Sequence, residues 1–588
     1  MKVFKNIKEY FCLLIMFFKS KNKKLVYLSL LSILLFSIIE VLLLILINKW
    51  NLNFFNSLEN GDFSTISKHL LIFAAYAGCL VSVYTIVQFL ISFLSFKWRK
   101  FLTSKFFDLF FNNNKYYHLL QKKMVDNPDQ RFSQDLEYFT TMSITVFAQL
   151  LKELFTFIIF IPLLFNLSKN FRFLINDKTI NLPGYLLWIA MLYGILVNFI
   201  IVKVGKPLIK LNFEYEKVEA NFRFSLARIR YTVEEIAFLK GEKFELKLLK
   251  KSFINISSNF YNLLKYKSYL NIAQKAHWSI ETIVPFIAAS PMFFSKLITV
   301  GVLMQINNAF TIVSTSITRF SEIFQDIAHL QATKDRVYEF FNILKEKIEN
   351  KNSIIFTNKN YIECKNVTIF SEDNTKMIEN INLKIDEGDR LLIYGKSGKG
   401  KTTFLRTLAG LWSNFEGEIK ISNHNSTMFI PQKPYLPFGN LIDAFVYPNP
   451  LEEIDLDKLK HLMNILDLNH LYNELYANKK WEGILSIGEV QRINFFRILY
   501  NQPKIVILDE PTASLDSFLE LSLLQKLFDN LDKSTIFVMV SHSTIVRPFF
   551  NKFLNISNIN QKETFLSPRL FVKKHKKKFR SQNLLIKK

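Results

Sequence analysis

The chain has 588 residues with 75 Lys and Arg against 50 Asp and Glu, a formal charge of +25, and 49% of its residues are hydrophobic. That length leaves room for three or four domains, and the charge could mark a nucleic-acid binder, but a membrane protein also collects Lys and Arg in its cytoplasmic loops, so we set nucleic acid aside as a partner. Cys12, Cys79 and Cys364 lie far apart without metal-ligand spacing, so neither a disulfide framework nor a zinc site is indicated.

Residues 1–24 mix lysines with Tyr10, Phe11, Phe17 and Phe18, and two readings stand: a short helix lying in the cytoplasmic face of a membrane, or a basic flank. The short apolar stretch there is followed by lysines and shows no cleavage pattern of a signal peptide. Apolar segments of bilayer-spanning length follow at Leu25–Asn48, Leu70–Phe96, Ser143–Leu167, Tyr185–Lys203, Asn271–Phe294 and Val300–Phe324. The last, with Gln305, Asn307 and Asn308, reads as the weakest and suits a polar cavity better than lipid. The intervening segments Lys97–Thr141 and Val204–Leu270 are long and basic, which places them in the cytoplasm and predicts six spans with both termini inside. Both read mostly as helix, so the spans should continue below the bilayer and turn at tips on which a second domain could push.

The expected division is a transmembrane domain over 1–345, a linker over 346–359, a soluble α/β domain over 360–570 and a basic tail over 571–588, the last attracted to anionic lipid. The soluble part opens with strand-like runs at Tyr361–Phe370 and Ile381–Ile385. An apolar run, Leu391–Tyr394, then breaks into Gly395, Lys396, Ser397, Gly398, Lys399, Gly400, Lys401, Thr402 and Thr403, matching G-x-x-x-x-G-K-T. Glycines there let successive N–H groups point at a phosphate, and the following helix offers its positive end to the same anion. Lys401 is expected to reach the β and γ phosphates of ATP and Thr402 to ligate Mg²⁺. Downstream, Ile505–Leu508 ending in Asp509 and Glu510 has the form of a buried parallel strand with two carboxylates at its tip. Asp509 is read as holding Mg²⁺ and Glu510 as polarising the attacking water, with capping of the next element as the alternative. Ser514-Leu515-Asp516 marks the loop beyond, and His542, after the strand Thr535–Val540, is read as a γ-phosphate contact.

Leu485, Ser486, Ile487, Gly488 and Glu489, continuing into Val490-Gln491-Arg492, resemble the signature of ATP-binding cassette (ABC) proteins. The resemblance implies that Ser486 and the backbone at Gly488 serve a γ-phosphate held by the opposite subunit. Val490 stands where the common signature has Gln. Gln432, in Phe429–Tyr435, matches the glutamine that senses Mg²⁺ and water, and Phe370 lies where such domains stack an aromatic on adenine. Further stretches resemble the SbmA/BacA-like family and, more distantly, the peroxisomal fatty acyl-CoA half-transporters. They are Asn48–Asn51, Phe54–Leu58, Asn127–Arg131 with Asp135, Phe222–Leu226, Glu234–Phe238 with Gly241 and Glu242, Ile298–Gln305, Pro434–Pro448 and Trp481.

This likeness implies a fused permease and ATPase with an exporter-like fold, set in a bacterial inner membrane or an organellar one. It further implies a cargo of cobalamin, bleomycin or peptide type taken inward, with acyl-CoA transport or export as alternatives. One chain supplies one phosphate loop and one signature, so a homodimer is expected. An ATP-gated channel or sensor would share these features but would not need substrate-dependent turnover. Gln274, Lys275, His277 and Glu281 fall within the fifth span and Glu40 within the first. Ionisable groups at that depth should face a water-filled cavity or one another. Two readings stand for Glu40, His277 and Glu281: a polar path for a small hydrophilic or peptide cargo, or structural pairs locking helices.

Overall fold

The computed structural model describes residues 2–20, 23–121, 124–125, 127–169, 171–175, 178–346, 354–357, 359–422, 426–449, 454–513 and 515–558. Ser514, most of the expected linker and the whole basic tail lie outside these residues. The chain divides into two compact units, Met1–Glu346 and Lys347–Lys588.

The first unit is almost wholly helical: α1 (Lys2–Phe18), α2 (Lys23–Glu59), α3 (Phe63–Phe111), α4 (Lys115–Gln121) and α5 (Pro128–Gln130), which continues through a π turn into α6 (Leu136–Ser168). A short antiparallel hairpin, β1 (Arg172–Ile175) and β2 (Lys178–Asn181), occupies the segment between α6 and the next long helix, which carried no strand signal. Then come α7 (Tyr185–Tyr231), α8 (Val233–Phe238), α9 (Glu242–Phe294) and α10 (Val300–Lys345).

Among the described residues five helices are long and apolar enough to cross a membrane: α2, α3, the α5–α6 run, α7 and the first part of α10. The expected fifth span, Asn271–Phe294 in α9, falls short by composition, while the sixth, read as weakest, qualifies. The reason is local, since Gln274, Lys275, His277 and Glu281 interrupt the apolar run of α9. With 49, 47 and 53 residues, α3, α7 and α9 are far longer than a bilayer requires, which is about 20 residues. At the turn between α7 and α9, Tyr231, Phe238 and Leu239 are exposed.

Past the apolar windows, Phe17, Trp98, Phe106, Phe139, Phe340 and Phe341 form a buried aromatic cluster joining α1, α3, α6 and α10. Water is the alternative environment at that level, so each ring contributes about 1.5–3 kcal/mol by burial. Polar ties hold the same region: Lys334 on α10 pairs with Glu9 on α1 at 2.7 Å, and Asp135 pairs with Arg131 at 2.6 Å and Arg336 at 2.7 Å.

The second unit is α/β. A five-stranded parallel sheet runs β11 (Lys552–Asn555), β6 (Arg390–Tyr394), β10 (Ile536–Val540), β9 (Ile505–Asp509), β8 (Thr427–Ile430). All five residues of β9 and of β10 are buried, as central parallel strands require. A second sheet runs β3 (Ile355–Thr357), β7 (Phe415–Ser422), β4 (Ile362–Phe370), β5 (Lys376–Ile385). Strand β3 falls inside the expected linker and pairs parallel with β7. Helix α11 (Lys401–Leu408) follows β6, and α12 (Leu441–Val446), α13 (Leu456–Ile465) and α14 (Ile487–Asn501) form a helical layer before β9. Helix α15 (Ser517–Asn530) lies between β9 and β10 in the chain.

Candidate ATP site

The phosphate loop joins β6 to α11, with Gly400 as the cap residue of the helix at φ +85°. The positive φ at Gly400 favours glycine, and a side chain there would also press on Ile378 of β5 at 3.1 Å. Ile378 pairs with Ile369, which sets Phe370 at the end of the strand beside the loop. Phe370 is held there by its backbone: its carbonyl accepts from Trp412 Nε1 at 3.0 Å and its N–H donates to Asn414 at 3.0 Å.

Lys401 is 6% exposed and lies across the loop. Its ammonium donates to the carbonyls of Gly395 at 3.0 Å and Lys396 at 3.2 Å, and Nζ is 2.9 Å from Nε2 of His542. That same Nε2 is 3.2 Å from Glu510 Oε1. An unprotonated Nε2 accepts from Lys401, whereas a protonated one donates to Glu510, so the imidazole stands at a fork between the two. Glu510, directly past β9 in a left-handed conformation at φ +45°, accepts from Gln432 Nε2 at 3.0 Å through its other oxygen. Strand order explains the convergence, because β6, β10, β9 and β8 are neighbours and all end on the same side.

Asp509 is buried at the tip of β9, and its Oδ1 has no hydrogen-bond partner among the described residues. Burial and the adjacent Glu510 charge push its carboxyl above the usual range, outweighing the Thr402 hydroxyl, Arg406 and Lys401, which act in the opposite sense. A buried carboxylate oxygen left over beside a threonine hydroxyl is a donor set that suits a hard divalent cation, so Mg²⁺ fits these residues.

In the signature, Ser486 caps α14 through a capping box: its Oγ accepts from Glu489 N at 3.3 Å, and Glu489 Oε2 accepts from Ser486 N at 2.8 Å. Leu485 is buried, Ile487 is exposed, and Gly488 is in ordinary contact range of Leu515. Among the described residues no hydrogen bond or ion pair joins this segment to the phosphate loop, so the two halves of the expected site stay apart within one chain.

Other participants carried no sequence signal. Buried Glu520 accepts from Thr512 Oγ1 at 2.5 Å and Ser543 Oγ at 2.8 Å, fastening the loops after β9 and β10 to each other. Arg497, whose guanidinium burial pushes down to about 10, still carries its charge at neutral pH and donates to the carbonyls of Ala444 and Tyr435. Through Tyr435 it anchors the segment that carries Gln432.

In the helical unit, Glu40 pairs with Lys152 and lines a cavity of about 250 Å³ with Glu153, Arg319, Glu322 and Asp326. His277 and Glu281 are buried elsewhere: Tyr193 OH is 2.9 Å from His277 Nδ1, and Thr315 donates to Glu281 at 3.3 Å. Nε2 of His277 lies 3.6 Å from Glu281 Oε2. These three candidate cargo residues therefore do not form one cluster.

Residues 13–294 match the family model described as ABC transporter transmembrane region 2, and residues 378–513 match the one described as ABC transporter. An uncharacterised ABC transporter ATP-binding protein of Haemophilus influenzae is 30% identical over 85% of this chain and 83% of its own. The inner membrane ABC transporter ATP-binding protein YddA of Escherichia coli is 29% identical over 91% and 95%. The mouse lysosomal cobalamin transporter ABCD4 is 26% identical over 79% and 80%. A bacterial Atm1-family ABC exporter solved with ATP bound shares the fold, with a TM-score of 0.72 over 92% of this chain and 95% of that one, at 15% identity.

Proposed function

This chain belongs to the ABC transporter family as a fused membrane region and ATPase, and from that premise we propose that it is a homodimeric pump that takes up a hydrophilic solute or peptide. The observation that carries the energy-coupling half is the meeting of Gln432, Glu510 and His542 beside Lys401 at the strand ends. Phosphate binding draws the Lys401 ammonium off the loop carbonyls. His542 then turns from Glu510 to the γ-phosphate, and Glu510, oriented by Gln432, is released to take a proton from the attacking water. Gly395, Lys396, Ser397, Gly398, Lys399, Gly400 and Thr403 shape the cradle, and Phe370 receives the base. Thr402, Asp509 and Gln432 are the residues that would hold Mg²⁺, which neutralises phosphate charge when bound. Ser486 and Gly488 complete the site of the opposite subunit, which is why two chains are needed.

Six spans with both termini in the cytoplasm, set in a bacterial inner membrane, accommodate this cycle. Support for a hydrophilic cargo comes from the charged cavity at Glu40 and from the likeness to a cobalamin transporter. The test is MgATP-dependent uptake into proteoliposomes of labelled cobalamin, a peptide panel and acyl-CoA. Uptake of cobalamin or peptide, lost in Glu40→Ala with basal ATPase retained, is the expected result. Acyl-CoA uptake alone, or efflux, would overturn the cargo and direction assigned.

A further inference from the structure

The Ser486 hydroxyl is not free in this structure. It donates to Glu489 Oε2 at 2.8 Å, so the hydrogen that a phosphate oxygen would need is already directed at a carboxylate. Glu489 also brings a negative charge to the first turn of α14, where it complements the helix dipole but competes with an arriving phosphate for the same donors. Its second oxygen, Oε1, lies 2.6 Å from Nε2 of His470. His470 belongs to none of the motifs above; it sits in the 3-10 turn Asn469–Glu474, which follows α13.

We infer that His470 is a positioning residue for the signature: as imidazolium it balances the Glu489 charge and weakens the hold of that carboxylate on the Ser486 hydroxyl, leaving the hydroxyl able to donate to the partner's nucleotide. The inference rests on the reading of Ser486 as a donor in trans. Local architecture holds the backbone that presents His470, whose side chain is 55% exposed. Asp467, just before the turn, is in the left-handed region at φ +55° and pairs with Lys526 of α15 at 2.6 Å. Its carbonyl accepts from Arg492 Nη1 of α14 at 3.0 Å, and Lys460 of α13 lies over the Tyr472 ring at 5.3 Å. The turn is thus tied to three helices, and among the described residues Glu489 is the one acid paired with His470. Burial acts to raise the Glu489 carboxyl, yet the hydrogen bonds from Ser486 and His470 outweigh it and hold the carboxyl below its usual range.

The experiment uses full-length protein in proteoliposomes, with ATPase velocity measured against MgATP from pH 5 to 9. His470→Ala is expected to raise KM for ATP roughly fivefold, the fold-change matching an ion pair of about 1 kcal/mol, with a smaller effect on kcat. Wild-type KM should depend on pH through this pair, and Glu489→Gln should flatten that dependence. His470→Asn, which keeps a donor without the charge, should fold like wild type and also give the flat profile. In the Glu489→Gln background, His470→Ala should have no further effect. An equal effect of His470→Ala in both backgrounds, or a wild-type pH profile in His470→Asn, overturns the inference. Ser486→Ala is the separate arm: wild-type turnover there overturns the underlying reading of Ser486, whereas an inactive Ser486→Ala beside a wild-type His470→Ala overturns only the role of His470.

Discussion

Asp509→Asn in the full-length protein is expected to stabilise the nucleotide-free form while removing MgATP turnover. The carboxylate is buried with Oδ1 unpartnered among the described residues, and Glu510 adds a like charge beside it. Leaving a buried acceptor unsatisfied costs about 1–3 kcal/mol and more when it is charged, and the amide of Asn keeps an unpaired atom there but sheds the charge. Part of that is offset by Thr402, Arg406 and Lys401, so neutralising the group should return about 1 kcal/mol, or roughly 2–4 °C in Tm for a unit of this size. The pH dependence has a definite sign. Because its carboxyl titrates above the unfolded range, the folded protein binds the proton more tightly than the unfolded chain does. The contribution of this group to stability is therefore fully present at acid pH, falls as pH rises from the ordinary carboxylate value through the folded one, and is lost at neutral pH. Asp509→Asn lacks this fall. Scanning fluorimetry in detergent with EDTA, between pH 5 and 8, should show the variant melting above wild type at neutral pH. Adding MgATP should reverse the order, since wild type gains about 2.7 kcal/mol at a hundredfold excess over Kd and the variant gains less. A variant that melts below wild type without nucleotide at neutral pH would refute the reasoning.

Glu510→Gln should retain ATP binding and slow hydrolysis by roughly two to four decades, and turnover within twofold of wild type in the purified dimer would remove Glu510 from the role of base. Verified heterodimers of Lys401→Ala and Ser486→Arg chains contain one site with both groups intact; ATPase above that of either variant alone is expected, and a fully active monomer would disprove the shared site. Gly301→Ala places a Cβ 2.2 Å from the Leu52 carbonyl and 2.3 Å from Asn56 Oδ1, so α2 and α10 must separate; a cost of about 1–3 kcal/mol is expected, read as a lower Tm and loss of the Gly301 N–H bond to Asn56.

Much of this protein was legible because its elements carry local marks. The phosphate loop, the carboxylates after an apolar strand and the signature are short contiguous patterns whose chemistry depends on backbone shape and neighbouring residues. Span length and loop charge are likewise local sums, and they revealed a membrane protein before any packing was known. Tertiary structure decided what distant side chains do to one another. It brought Asn48 to the Gln305 carbonyl and Asn308, and Asp135 to Arg336, giving a physical purpose to stretches that were recognisable only as resemblances. It also parted Glu40 from His277 and Glu281, and it set His470 against Glu489, nineteen positions away. Such pairings cannot be read from sequence, because they depend on the register between elements and not on the periodicity within one.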